Sequence, residues 1–161
     1  MSLSLLVSLL GVIFAAILEE GVKHISSIGL TAREFRFTRR DLLIFAFFIT
    51  LGFVFFENLL YFILSIHANP GTLFFMGISR STLSLLAHLL SVSIGIIAWW
   101  KALSYGVFSL RYSIFCILGF LGAILSHAFF NILIQSGSFI GVMLFGIVSY
   151  VVWTRWMTMP L

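Results

Sequence analysis

Along most of the chain, apolar residues follow one another for long stretches before a charge intervenes. Residues 3–18, for instance, carry none. A membrane-spanning helix needs about 20 predominantly apolar residues, within a range of roughly 17 to 25. Five segments meet or approach that length, at about 2–24, 41–65, 80–100, 112–135 and 138–156. The runs are continuous and lack the apolar–polar alternation of a lipid-facing strand, so they predict helices and exclude a barrel. Gln135, Ser136, Gly137 and Ser138 form a tight hairpin between the fourth and fifth segments, and the loop from His67 to Thr72, with Pro70 and Gly71, breaks the chain after the second. Residues 73–79 read either as a short re-entrant piece or as the early start of the third helix. There is no internal repeat or polar linker, so residues 1–161 are expected to form a single transmembrane helical domain.

Composition strengthens this picture. Hydrophobic residues make up 61% of the chain and charged residues 9%, whereas a soluble domain carries about 25% charged residues. Such a surface suits lipid, and the expected fold is an all-α, polytopic membrane helix bundle. The formal charge of +4 is concentrated in particular connections. Lys23, Arg33, Arg36, Arg39 and Arg40 lie at the first, Lys101 and Arg111 at the third, and Arg155 near the end. The second connection has only Arg80, and the fourth has no basic residue. The positive-inside rule then sets the C-terminus in the cytoplasm and the N-terminus outside. Trp99, Trp100, Trp153 and Trp156 fall at the inner helix ends, at headgroup level. The basic balance therefore records orientation in a bilayer and gives no reason to expect nucleic acid. Cys116 is the sole cysteine, which excludes a disulfide framework and a cysteine-based metal site. The first residues lack the positive n-region of a signal peptide, so the first helix is expected to be retained.

Candidate chemistry lies in the polar residues inside the spans: Glu19, Glu20, Lys23, Glu57, Asn58, His88, His127 and Asn131. The remaining first-loop charges, from Arg33 to Asp41, read as a solvated or headgroup face. His24 and His67 read as loop or interface residues, and Phe53, Phe55 and Phe56 as packing. An acid at mid-span costs about 2.5 to 3.5 kcal/mol on insertion scales. The long apolar run around Glu57 absorbs that cost, but the carboxylate must still face the bundle interior or a wet cavity. Glu19 with Lys23, Glu20 with His24, Glu57 with Tyr61 and His127 with Asn131 are each i, i+4 and share a helix side. Ser84, His88, Ser91 and Gly95 form one small, polar stripe that lets a neighbouring helix approach closely. At 1.5 Å per residue, Glu57 lies about 24 Å and His127 about 23 Å from the inner start of its span, and His88 falls at a similar level. Glu19 and Glu20 match that level only if the first helix continues inward through Lys23 and His24 towards Gly29.

The order of these motifs resembles a known family. Glu19-Glu20-Gly21-Val22-Lys23 matches EExxK, and Phe53 to Glu57-Asn58, followed by Tyr61, resembles an FxxxEN element. His88 with Gly95, preceded by Arg80, resembles a third, histidine-bearing helix, and His127 to Asn131 an HxxxN element. The chain thus resembles the PrsW-like intramembrane proteases, relatives of the CAAX-protease and bacteriocin-processing group, over roughly residues 15–135. That group has EExxxR and FxxxH. Here the lysine comes one position earlier and Glu57 stands where the histidine would sit, which favours the PrsW-like branch.

The resemblance implies hydrolysis of a peptide bond in a membrane-protein or lipid-anchored substrate, by a multi-pass protein of a prokaryotic cell membrane. Such chemistry needs a base for water, an acid for the leaving amine and a donor for the oxyanion. Glu19 or Glu20 is the candidate base, His88 and His127 position water or shuttle protons, Asn131 donates to the oxyanion, and Lys23 and Asn58 support. Two versions stay open. One uses no cofactor. The other uses zinc held by Glu57, His88 and His127, a two-histidine, one-carboxylate set, although no HExxH helix is present. Two further classes also account for intramembrane Glu, His and Lys: a small proton- or ion-coupled transporter, and a non-catalytic subunit of a membrane complex.

Overall fold

The computed structural model describes residues 3–31, 37–64, 66–67, 69–71 and 80–158. These residues form α1 (Leu3–Thr31), α2 (Arg39–Leu64), α3 (Leu85–Leu103), α4 (Leu110–Gln135) and α5 (Phe139–Thr158), with a π-helical turn, Arg80–Ser84, leading into α3. No strand occurs among them. Four stretches, Arg39–Leu64, Ser81–Leu103, Leu110–Gln135 and Phe139–Thr158, are long and apolar enough to cross a bilayer. In α1 the apolar run gives way to Glu19, Glu20, Lys23 and His24 without ending the helix. The alternative readings of residues 73–79 lie outside the described residues, as do Arg33, Glu34 and Arg36.

Local chemistry sets the helix ends. Thr38 and Asp41 form a reciprocal box at the start of α2. The Asp41 carboxylate accepts from the Thr38 backbone N–H (2.9 Å) and hydroxyl (2.7 Å), and the Thr38 hydroxyl accepts from the Asp41 N–H (3.2 Å). Ser109 caps α4 by accepting from the Tyr112 N–H at 3.1 Å. Gly137 closes the α4–α5 hairpin with φ +67°, a left-handed conformation that a side chain would strain. The Ser136 and Ser138 amides there bond back to the carbonyls of Ile132 and Leu133.

Helix α3 is the centre of the bundle and packs against each of the other four. Leu42 and Ala46 of α2 bury against Val92, Ile96 and Trp99 of α3. Val12 and Ala16 of α1 bury against Ile124 and Ala128 of α4. Ala87, Phe130 and Val142 join α3, α4 and α5. Small residues make the central crossing possible: a Cβ on Gly119 would collide with that of Ala98. The outer surface carries Phe14, Phe48, Phe55, Phe56, Leu125 and Ile140, all well exposed. In water these apolar faces would be a liability, and in a bilayer they meet hydrocarbon. Among the described residues, α2 and α4 do not pack on each other, and α1 and α3 stand between them.

One expectation needs correction. His24 is a buried residue of α1, with 8% of its surface exposed, and not a loop or interface group. The apolar run ends at Leu18, but the helix continues to Thr31 because its polar side chains find partners inside the bundle. At 1.5 Å per residue α1 is about 44 Å long. This continuation brings Glu19 and Glu20 to the level of the other polar groups.

Candidate active site

Four helices deliver ionisable side chains to one place: Glu19, Glu20 and Lys23 from α1, Glu57 from α2, His88 from α3 and His127 from α4. Glu20 is the hub and is fully buried. Its Oε1 accepts from Lys23 Nζ at 2.7 Å and from Ser91 Oγ at 2.9 Å, and lies 2.9 Å from His127 Nδ1. Donors converging from three residues mark that oxygen as an acceptor. His127 Nδ1 therefore carries a hydrogen towards Glu20.

Lys23, buried to 1% exposure, also lies 2.7 Å from His88 Nδ1 and 4.2 Å from the centre of the Phe53 ring. An ammonium group only donates, so His88 accepts at Nδ1 and directs its Nε2–H to Glu57 Oε2 at 3.0 Å. The two imidazoles meet edge to face with centroids 4.5 Å apart. The result is an unbroken chain: Glu57, His88, Lys23, Glu20, His127. At its end, His127 Nε2 faces Glu19 Oε2 at 3.4 Å. That carboxylate oxygen is buried and has no hydrogen-bond partner.

One ligand atom each from Glu19, His88 and His127 lies within 4.8 Å of the others. The carboxylate that closes with both histidines is Glu19, whereas the sequence pointed to Glu57. Beside this group is a cavity of about 440 Å³. Its walls are Gly11, Val12, Ala15 and Glu19 of α1, Glu57 and Tyr61 of α2, and Asn131, Ile134 and Gln135 of α4. It occupies the gap between α2 and α4 at the end where α1 begins. Asn131 thus reaches the cavity one turn beyond His127. Asn58, next to Glu57, is half-buried, and its Oδ1 lacks a hydrogen-bond partner.

Ser91 and His24 were not among the site residues expected from sequence. Ser91 belongs to the polar stripe of α3, and that stripe was its only signal. His24 donates from Nδ1 to the Glu20 carbonyl at 2.8 Å, one turn along α1. Its partner across the interface is a glycine, which has no side chain to signal a contact.

An arrangement of carboxylates and imidazoles around a cavity in an apolar bundle is suited to activating water or holding a cation. Neither the curated proteins nor the solved structures give a match to the chain. A family model described as PrsW family intramembrane metalloprotease matches residues 3–157. With that match over nearly the whole chain, and with ionisable groups from four helices gathered beside one cavity, the chain belongs to the PrsW family of intramembrane metalloproteases.

Proposed function

We propose that this membrane protease hydrolyses a peptide bond of a membrane-embedded or membrane-anchored protein in the cavity between α1, α2 and α4, using water activated at Glu19, Glu57, His88 and His127. The observation carrying this reading is the presence of Glu19 and Glu57 on the wall of one 440 Å³ space, with His127 behind Glu19 at 3.4 Å and His88 behind Glu57 at 3.0 Å. We read the whole chain as one transmembrane domain with its N-terminus outside. The cavity then lies in the outer half of the membrane.

The family description implies a metal, and the residues fit one. Two imidazoles and a carboxylate form the protein part of a catalytic zinc site and leave a position for water. Glu19 Oε2 is buried, faces His127 Nε2 at 3.4 Å and has no hydrogen-bond partner, an orphaned acceptor that a cation would satisfy. Glu20 holds the other nitrogen of His127, as outer carboxylates do for ligating histidines. Glu19, His88 and His127 would hold the ion, with His88 then carrying its hydrogen at Nδ1, towards Lys23, and presenting the Nε2 lone pair in place of its bond to Glu57. The ion would supply Lewis acidity and a more acidic water.

The remaining roles fall to the protein itself. Glu57 lines the cavity and takes the proton from the attacking water, then returns it to the leaving amine. Glu20 is walled off from the cavity, so its part is to orient His127. Lys23 offsets the negative charge of the cluster. Asn131 presents its amide to the developing oxyanion.

The test uses purified protein in liposomes with a panel of single-span peptides, with products read by mass spectrometry. Glu57→Gln is expected to lower turnover by about 10²- to 10⁴-fold, the contribution of a positioned acid–base group. Bound metal, counted by elemental analysis, is expected in the wild type and lost in a His127→Ala variant. Wild-type turnover in Glu57→Gln would remove this residue as the base, and full activity after chelation, with no metal found, would remove the metal.

A second reading, a proton-coupled carrier, draws on the unbroken Glu57–His88–Lys23–Glu20–His127 chain, which resembles a relay. Proton flux in the same liposomes, without cleavage, would favour it.

A further inference from the structure

The polar cluster depends on α1 standing in one register against α3, and the packing just beyond the cluster supplies a device for setting it. His24 lies one turn after Glu20 on α1, and Gly95 lies one turn after Ser91 on α3. Glu20 meets Ser91 through a 2.9 Å hydrogen bond. His24 meets Gly95 through its ring, which fills the space where a Cβ on Gly95 would stand. Residue numbers rise together on both helices, so they run parallel, and the same offset is repeated at successive turns. A slip of one residue would rotate a side chain by about 100° around the helix axis and end both contacts.

The His24 ring is fixed on its other sides as well. It is 92% buried, being 8% exposed. Its Nδ1 donates to the Glu20 carbonyl at 2.8 Å, so the ring is tied to the backbone of the residue that forms the hub. Phe120 of α4 meets it edge-on at 5.5 Å. Gly119 of α4 approaches the Gly95 backbone and Ala98 from the neighbouring side. Helices α1, α3 and α4 are thereby pinned together at one level. The Nε2 of His24 has no hydrogen-bond partner and does not face the cavity walls, which separates the residue from the chemistry.

We infer that the seating of His24 on Gly95 is a positioning device that sets the register of α1, and hence the reach of Glu19 and Glu20 towards His127. The kinetic part of this inference rests on the function proposed above. The seat itself rests on geometry alone.

The experiment compares Gly95→Ala, His24→Ala and the double variant, with kcat and KM measured on a single-span peptide cleaved by the wild type, and with thermal unfolding in detergent. The added methyl group in Gly95→Ala collides with the ring and shifts α1. A misplacement of about 1 Å costs on the order of 100-fold, so kcat is expected to fall by about that factor while KM stays within about threefold. Removing the ring in the double variant frees the space, and kcat is expected to recover by about tenfold or more over Gly95→Ala. Tm is expected to follow the same non-additive pattern. Wild-type kcat in Gly95→Ala, a loss confined to KM, or a double variant no better than Gly95→Ala would each overturn the inference. If Gly95→Ala fails to fold, folding restored by His24→Ala supports the seat, and continued failure overturns it. If the wild type cleaves nothing, the function proposed above fails, and non-additive Tm values still decide for or against the seat.

Discussion

Glu20 concentrates the physics of the site in one oxygen. It accepts from Lys23 and Ser91, and His127 faces it at 2.9 Å, all out of contact with solvent. Removing one member of a buried charged pair leaves the other uncompensated, at a cost of about 3–5 kcal/mol. Glu20→Gln is therefore expected to destabilise the protein by about that amount and to abolish cleavage, because Lys23 loses its carboxylate and His127 its anchor. Reversible unfolding in mixed micelles, with turnover on the same preparation, checks both. An unchanged midpoint would show that the pair contributes nothing. The residue types of the cluster were legible in the sequence, since an acid inside an apolar span needs a polar partner. Ser91 and His24 were not. A serine among apolar residues is common, and the meaning of His24 depends on a glycine 71 positions away.

At the scale of the elements, the apolar runs predict most helix bodies and turn residues mark several of their ends. The Thr38–Asp41 box starts α2, and Gly137 sits in the left-handed turn between α4 and α5. Thr38→Ala removes a capping side chain and is expected to cost about 0.5–2 kcal/mol of stability without changing cleavage, because the cap is remote from the cavity. Parallel unfolding and activity measurements test this, and lost turnover at preserved stability would contradict it. The extent of α1 was harder to read. Hydropathy ends at Leu18, yet the helix reaches Thr31. A polar side chain ends a span only when it meets lipid. Glu20, Lys23, His24 and Ser27 are all buried against protein, so helix and apolar run part company there.

For the whole molecule, the decisive feature is the gap between α2 and α4 that α1 and α3 leave open. Gly11 lies on its wall, and a Cβ there meets no atom within 4 Å. Gly11→Ala is expected to leave cleavage intact and to raise stability by up to about 1 kcal/mol, the helix-propensity difference. Gly11→Trp has the same room at Cβ but extends a large ring into the cavity, and is expected to lower kcat/KM by about tenfold or more, as a loss of productive binding does. Kinetics and unfolding on both variants separate a filled cavity from a damaged fold. Equal activity in the two would mean that substrate does not use this space.

The sequence by itself determined the solvent, the helical class and which polar side chains lie inside the spans. Hydrocarbon forces every span to satisfy its own backbone, and the cost of burying an acid demands a polar setting for each one. Tertiary structure alone decided which carboxylate lies close to both histidines, which groups face each ring nitrogen, and which helices line the cavity. These depend on distances between side chains on different helices. Helix register sets those distances, and side-chain periodicity along one helix says nothing about its offset from the next.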